Sequence, residues 1–276
     1  MYSSYPSARS SRGGSSKGRL ILAAIIAIMS LVSYFGSRQD NPVTGETQYI
    51  GITVDQEIAL GLQAAPQMAQ EFGGEDPDQA DQALVDQIGN SIVQSSAASQ
   101  TPYEYEFHLL DDDKTINAFA LPGGQIFITR ALFDKLQTEG ELAGVLGHEI
   151  GHVVARHSAE HMAKAQLTEG LTGAAVLATY DPNNPASTGS AQVAMLIGQM
   201  INMKFGRDDE LESDFLGVCF INDSGYNPEE LIRVMQVLAE ASQGKAPPEF
   251  FSTHPNPENR IQRIQEAIQN TASCPQ

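Results

Sequence analysis

The chain has 276 residues, 41% of them hydrophobic, and a formal charge of −18 from 16 basic and 34 acidic side chains. That length and apolar content suit one catalytic-sized domain with appendages, and so acidic a balance argues against nucleic acid as a partner. Before Asp40 there are five bases (Arg9, Arg12, Lys17, Arg19 and Arg38) and no acid, an asymmetry that targeting explains.

Residues 1–19 are rich in Ser, Gly and Arg and read as a disordered basic tail. Leu20 to Gly36 is uncharged over 17 residues, at the short end of the ~17–25 that span a bilayer. It is longer than the ~7–15 of a signal-peptide core, and no A-x-A pattern follows it. The favoured reading is an uncleaved signal anchor. Its basic flank stays cytoplasmic and the rest of the chain lies outside the cytoplasm, on the periplasmic side of a bacterial inner membrane. A cleaved signal peptide, leaving a periplasmic or secreted protein, and an Arg/Ser-rich transit peptide are the alternatives. Residues 37–52, including the turn-rich NPVTGETQY, read as a linker, and 53–276 as the folded domain.

Val54 to Phe72 and Gln79 to Ser95 carry apolar residues at helical spacing. The period then falls to two. YEYEFHLLD (Tyr103–Asp111) alternates as a half-buried strand, and NAFALPGGQIFITRAL (Asn117–Leu132) reads as two strands turning at Leu-Pro-Gly-Gly. From Thr138 the pattern is helical: Glu139–His161, Ala163–Tyr180, Ala191–Lys204, Arg207–Asn222, Pro228–Ala241 and Pro257–Thr271. This order predicts an α+β fold, mostly α, with a small antiparallel sheet. Cys219 and Cys274 are compatible with a disulfide in an exported domain, but free thiols fit the sequence equally well.

The densest chemistry is GVLGHEIGHVVARH, Gly144 to His157. His148-Glu149-x-x-His152 puts two imidazoles one helical turn apart on one face, the bite for a single zinc ion. Glu149 lies beside the pair, where it can act as a general base without being a ligand. Leu142, Val145, Leu146, Ile150, Val153 and Val154 surround the trio, so its burial without a metal would be expensive. Three glycines, Gly144, Gly147 and Gly151, interrupt the same helix at a cost of about 1 kcal/mol each relative to Ala. Close packing or room beside the metal would explain them.

A catalytic zinc needs a third protein ligand and an open position. Ala155 and Ser158 stand where a metzincin would have glycine and histidine, so that class is excluded. RDDELESDFLG (Arg207–Gly217) offers carboxylates instead. Glu210 and Asp214 are i and i+4 and share a face. Spacing favours Glu210 as ligand and leaves Asp208, Asp209 and Asp214 open. Glu212 reads as a solvated charge, and His157 and His161 as a solvated helix face. His108 receives no role.

Three blocks, NAFALPGGQIFITRAL, ELAGVLGHEIGHVVARH and RDDELESDFLG, resemble the membrane-associated gluzincin peptidases related to HtpX, BepA, Oma and the Ste-type CAAX proteases. THPNPENRI (Thr253–Ile261) resembles their C-terminal block, and all four occur in family order. The resemblance implies a zincin-like catalytic domain that hydrolyses protein or peptide substrates. It implies one zinc per chain held by His148, His152 and Glu210, with Glu149 as catalytic base and Asp214 orienting His148. Asn117, Ala118, Phe119 and Ala120 would be the edge strand that pairs with extended substrate. His254 matches a position that approaches the metal in some relatives, as a fourth ligand or a transition-state donor; a loop-capping histidine is its alternative. Arg260 reads as a structural ion pair. Ser213 and Phe215 depart from the family's usual Ala and Arg without touching the ligand set.

Two function classes follow: a zinc endopeptidase acting on misfolded or envelope proteins, and a latent, chaperone-like zinc protein that cleaves little. Intramembrane cleavage of lipidated peptides is excluded because one apolar segment cannot build a multi-helix chamber. The sequence does not specify an oligomeric state.

Overall fold

The computed structural model describes residues 16–179, 205–242, 247–256 and 259–275. The helix expected over Ala191–Lys204 lies outside them. In chain order, α1 (Ser16–Gly36) leads into the short strands β1 (Arg38–Asp40) and β2 (Thr47–Tyr49), then α2 (Val54–Glu71) and α3 (Gln79–Ser95). Strands β3 (Glu106–Leu110), β4 (Ala118–Ala120) and β5 (Gln125–Thr129) follow, then α4 (Arg130–Phe133), α5 (Glu139–Val154) and α6 (His157–Thr179). The described part closes with α7 (Arg207–Asp223), α8 (Glu230–Ala241), α9 (Phe250–Thr253) and α10 (Arg260–Gln269).

Helix starts follow from capping residues. Thr53 and Gln56 form a capping box on α2, Asp78 accepts from Ala80 N and Asp81 N at α3, and Thr138 accepts from Glu141 N at α5. Each cap satisfies backbone donors that the helix itself cannot.

The three-stranded sheet has the order β3-β5-β4. It corrects the expectation of an antiparallel sheet. β4 and β5 form the antiparallel hairpin, Ala118 opposite Ile128, but β3 pairs parallel to β5, Glu106 opposite Gln125. Alternation specifies which face of a strand is buried and not the direction of its partner. The hairpin turns at Gly123 and Gly124, both in the left-handed region (φ 83° and 105°), where a side chain would be strained.

α5 is the central helix: every residue from Glu141 to Val154 is buried. It packs against α3, α7, α8 and β4. Leu142, Val145, Leu146, Ile150, Val153 and Val154 join the main core, each contributing about 1.5–3 kcal/mol. Its glycines are where α7 and α8 come close. A Cβ on Gly147 would sit 2.7 Å from Ile221 Cγ2, and one on Gly151 would sit 2.9 Å from the Ser213 carbonyl oxygen. Across the contact, a Cβ on Gly217 would lie 3.1 Å from His148 N. Gly144 does the same toward Leu231 of α8. Helix propensity alone predicts that Gly151→Ala stabilises by about 1 kcal/mol. Because α7 would have to move, we expect a loss of about 1–3 kcal/mol instead, measured by denaturant unfolding of the metal-free protein.

The helix expected over Glu139–His161 is broken. Arg156 has φ 58°, so α5 ends and α6 leaves in a new direction. The region read as a linker seals that break. β1 and β2 form an antiparallel hairpin; Asn41 Nδ2 donates to Val154 O (2.8 Å) and Gln48 Nε2 to Ala155 O. Both side chains are buried, so they satisfy end carbonyls of α5 that water does not reach. Arg156 itself is ion-paired with Glu57 of α2 and donates to Gln39 Oε1 (3.1 Å).

α1 is the one described helix long and apolar enough to cross a membrane. Leu20, Ile21, Leu22, Ile25, Ile28, Met29, Val32 and Phe35 are exposed on it. It packs along α6, with Ser30 against Gly170, and Tyr34 stacks on Tyr49 of β2 (centroids 5.0 Å). Cys219 and Cys274 form a disulfide, Cα atoms 5.6 Å apart, joining α7 to the segment after α10.

Candidate active site

His148 and His152 project from one face of α5, and their Nε2 atoms are 3.1 Å apart. The close crossing of α7 brings Glu210 onto the same point: Oε2 is 3.6 Å from His148 Nε2, and Oε1 is 3.5 Å from His152 Nε2. His254, at the end of α9, completes the cluster, with Nδ1 3.0 Å from Glu210 Oε1 and 3.3 Å from His148 Nε2. All four side chains are buried.

These distances test the group for a metal. A tetrahedral zinc with bonds of ~2.0–2.1 Å has ligand–ligand edges of about 3.3 Å, and the distances above run from 3.0 to 3.6 Å. Two imidazole lone pairs and a carboxylate facing one another at such separations repel unless a cation or proton lies between them. The donor set therefore fits a divalent metal.

Glu149 is fully buried, and neither of its carboxylate oxygens has a hydrogen-bond partner among the described residues. His254 Nε2 lies 3.6 Å from Glu149 Oε1. Burial pushes the Glu149 carboxyl up, partly opposed by His254 and His148. Burial would raise Glu210 too, but His254, His152 and Arg260 outweigh it and hold that carboxyl well below its usual range. Burial holds His152 well below the ordinary imidazole value, despite Glu210 beside it. A neutral imidazole is the form that can ligate metal. For His254, burial is overcome by Glu210 and Glu149, which raise it.

Asp214 Oδ1 lies 2.9 Å from His148 Nδ1. A carboxylate only accepts, so His148 carries its proton on Nδ1 and turns the Nε2 lone pair toward the cluster. Arg260, 1% exposed, donates through Nε and Nη2 to Asp214 (2.7 and 2.9 Å) and lies 3.1 Å from Glu210 Oε2 through Nη1. The C-terminal helix thus neutralises two buried carboxylates of α7, an ion pair at the centre of the protein. Asp208 is not among the clustered ligand atoms, and Asp209 turns to His161.

The structure corrects the reading of His157, His161 and Glu212 as solvated. His157 is 1% exposed; its Nδ1 is 2.8 Å from His152 Nδ1 and its Nε2 is 3.2 Å from Glu212 Oε2. His161 Nε2 is 2.6 Å from Asp209 Oδ2. Phe205, unremarked in the sequence, stacks on His152 (centroids 4.0 Å). Continuing α5 straight through residue 156 hides these contacts, since no Gly or Pro marks the break. His108, assigned no role, pairs with Glu75 (3.0 Å) and is not part of the His148, His152, Glu210 and His254 cluster.

β4 is the outer strand of its sheet, and one wall of a groove of ≈ 360 Å³ is built from Asn117, Phe119, Ala120 and Leu121. Met68 of α2 and Phe72, which follows that helix, face them, and Phe205 and Thr253 bring the groove beside His152 and His254. Asn117 is buried with its Oδ1 unpartnered among the described residues.

A buried H-E-x-x-H helix crossed by a glutamate-bearing helix, next to a short sheet with a free edge strand, defines a zincin-like metallopeptidase domain. The chain belongs to peptidase family M48, whose model matches residues 79–268. It is 33% identical over 227 residues to the beta-barrel assembly-enhancing protease of Yersinia pestis, covering 80% of this chain and 45% of that protein. To the protein of the same name from Escherichia coli K12 it is 29% identical over 254 residues, 87% of this chain and 50% of that one. The mitochondrial metalloendopeptidase OMA1 of Schizosaccharomyces pombe is 29% identical over 239 residues, 85% and 68% of the two chains. The chain spans about half the length of the bacterial relatives.

Proposed function

We propose that this protein is a zinc-dependent endopeptidase. A fully buried Glu149, its oxygens unpartnered among the described residues, beside a donor set spaced for one tetrahedral metal carries the reading. His148, His152 and Glu210 would hold the ion, with Asp214 fixing the tautomer of His148. When bound, zinc supplies Lewis acidity, polarising a peptide carbonyl and making water a usable nucleophile at neutral pH. Glu149 takes the proton of the attacking water at a carboxylate oxygen and delivers it to the leaving amine nitrogen. Asn117, Ala118, Phe119 and Ala120 bind substrate as an added strand along the groove, through backbone hydrogen bonds. That mode selects extended, unfolded segments over folded ones.

The residues after Arg38 act outside the cytoplasm, tethered by α1, and the substrates are misfolded or envelope proteins. The bacterial relatives are named for enhancing beta-barrel assembly, and we take that as support for an envelope role. A protein that stays in the membrane fraction through alkaline extraction, with an intact mass that retains α1, checks the tether. Release as a shorter soluble species overturns it.

His254 motivates a second reading. It is 0% exposed and occupies the fourth position around the donor set, where a catalytic site needs an opening. In this reading the protein is latent and binds clients more than it cuts them. Casein cleavage by the zinc-loaded protein, with and without His254→Ala, separates the two. We expect His254→Ala to raise the rate if His254 closes the site, and to lower it if His254 donates to the transition state. Zinc-loaded protein inert in both forms would leave only the binding role.

A further inference from the structure

We propose that His157 and Glu212 form a relay that fixes the tautomer of the metal ligand His152. It rests on the metal site read above and gives two residues outside the ligand set a positioning role. Glu212 offers only acceptors, so a neutral His157 carries its proton on Nε2, 3.2 Å from Glu212 Oε2. His157 Nδ1 is then a lone pair, and it lies 2.8 Å from His152 Nδ1. One of two facing nitrogens must donate, so the proton sits on His152 Nδ1. His152 Nε2 is left as a lone pair, aimed at His148 and Glu210. With His157 neutral, the three contacts leave one arrangement.

The two histidine ligands are thus supported in parallel. His148 meets the carboxylate of Asp214 directly at 2.9 Å. His152 meets the carboxylate of Glu212 through one intervening imidazole. The detour has a structural cause: α5 ends two residues after His152, and the left-handed Arg156 returns the chain so that His157 falls beside it. Phe205 covers the face of the His152 ring, and His157 is 1% exposed, so water is kept from the hydrogen bond between His152 and His157. A partner that holds tautomer and ring orientation is typically worth about 10–100-fold in metal affinity. The pair from α6 and α7 also explains why Glu212 sits two residues from Glu210 without joining the donor set.

The full chain is tested in detergent with His157→Asn, His157→Leu and Glu212→Leu. The Asn amide oxygen can replace His157 Nδ1 as acceptor; Leu cannot. The first readout is the imidazole tautomer of His152 in metal-free protein, from long-range nitrogen–proton NMR. We expect Nδ1–H in the wild type and in His157→Asn, and a tautomer mixture in His157→Leu. The second is zinc affinity by chelator competition, expected to fall about 10–100-fold in His157→Leu, less in Glu212→Leu, and to recover in His157→Asn. Metal-free melting separates misfolding from lost positioning: His157→Asn and His157→Leu should melt alike while their tautomers differ. An Nε2–H tautomer in the wild type, or zinc affinity in His157→Leu equal to wild type, overturns the relay. Loss of affinity in both substitutions with His152 on Nδ1–H throughout overturns it too. A wild type that binds no divalent metal while His152 keeps Nδ1–H would remove the function reading and confine the relay to a structural tautomer lock.

Discussion

Glu149→Gln is expected to bind zinc like the wild type and to lose about 10²–10⁴-fold in peptide hydrolysis. The substitution keeps shape and removes only the ability to take a proton. Glu149 lies outside the ligand-atom cluster of His148, His152, Glu210 and His254, so metal affinity has no reason to change. Its environment makes the loss large: it is fully buried, with both oxygens unpartnered among the described residues. Burial raises its carboxyl group toward the basicity a general base needs at neutral pH. Stability should not fall, since a buried amide costs less than a buried unpaired carboxylate. Zinc content by mass spectrometry, casein cleavage and a thermal melt check the three parts. Undiminished proteolysis by a Gln variant free of contaminating protease would remove Glu149 from the mechanism.

The half of the site on α5 is legible in the sequence because it is local. Two histidines four apart, in a run of Val, Leu and Ile, can only be reconciled with burial by a shared partner. Glu210 and Asp214 are legible for the same reason within α7, as an i, i+4 pair. That α7 crosses α5 at Glu210 is a long-range fact. Its local trace is the glycines, Gly147 and Gly151 on one helix and Gly217 on the other, which make room for backbone at the contact. His157, Glu212 and Phe205 were not legible, since their place depends on the turn at Arg156. That turn is held by Glu57 and Gln39, about a hundred residues away along the chain (|i−j| of 99 and 117).

The same separation explains the other differences. NPVTGETQY has the composition of a linker, yet Asn41 and Gln48 are the partners of the last carbonyls of α5. A polar stretch can satisfy a helix end as readily as water does, and only the tertiary fold decides which. The parallel pairing of β3 to β5 likewise leaves no mark on period-two alternation. These contacts also connect α1 to the metal-binding helix. α1 is followed directly by the hairpin, and the hairpin holds the C-terminus of α5. If α1 crosses a bilayer as proposed, this join sets the height of the groove above it, where a flexible tether would not.

Glu210→Ala is expected to empty the site. It removes the one carboxylate of the clustered donor set, and among the described residues it leaves Asp214 as the remaining ion-pair partner of Arg260. Zinc affinity should fall at least about tenfold below that of Glu212→Ala, whose own loss acts through His157 and belongs to the range of about 10–100-fold for an outer partner. Glu210→Gln is the control for shape: it keeps an oxygen for His254 and Arg260 while removing the charge that faces the metal. If Glu210 is a ligand, Gln and Ala both lose zinc, while the metal-free Gln variant melts near the wild type. If Glu210 only anchors Arg260, zinc stays and stability alone declines in Ala. Equal zinc occupancy in Glu210→Ala and Glu212→Ala would sink the assignment and return the third ligand to Asp214, the other buried carboxylate on that face of α7.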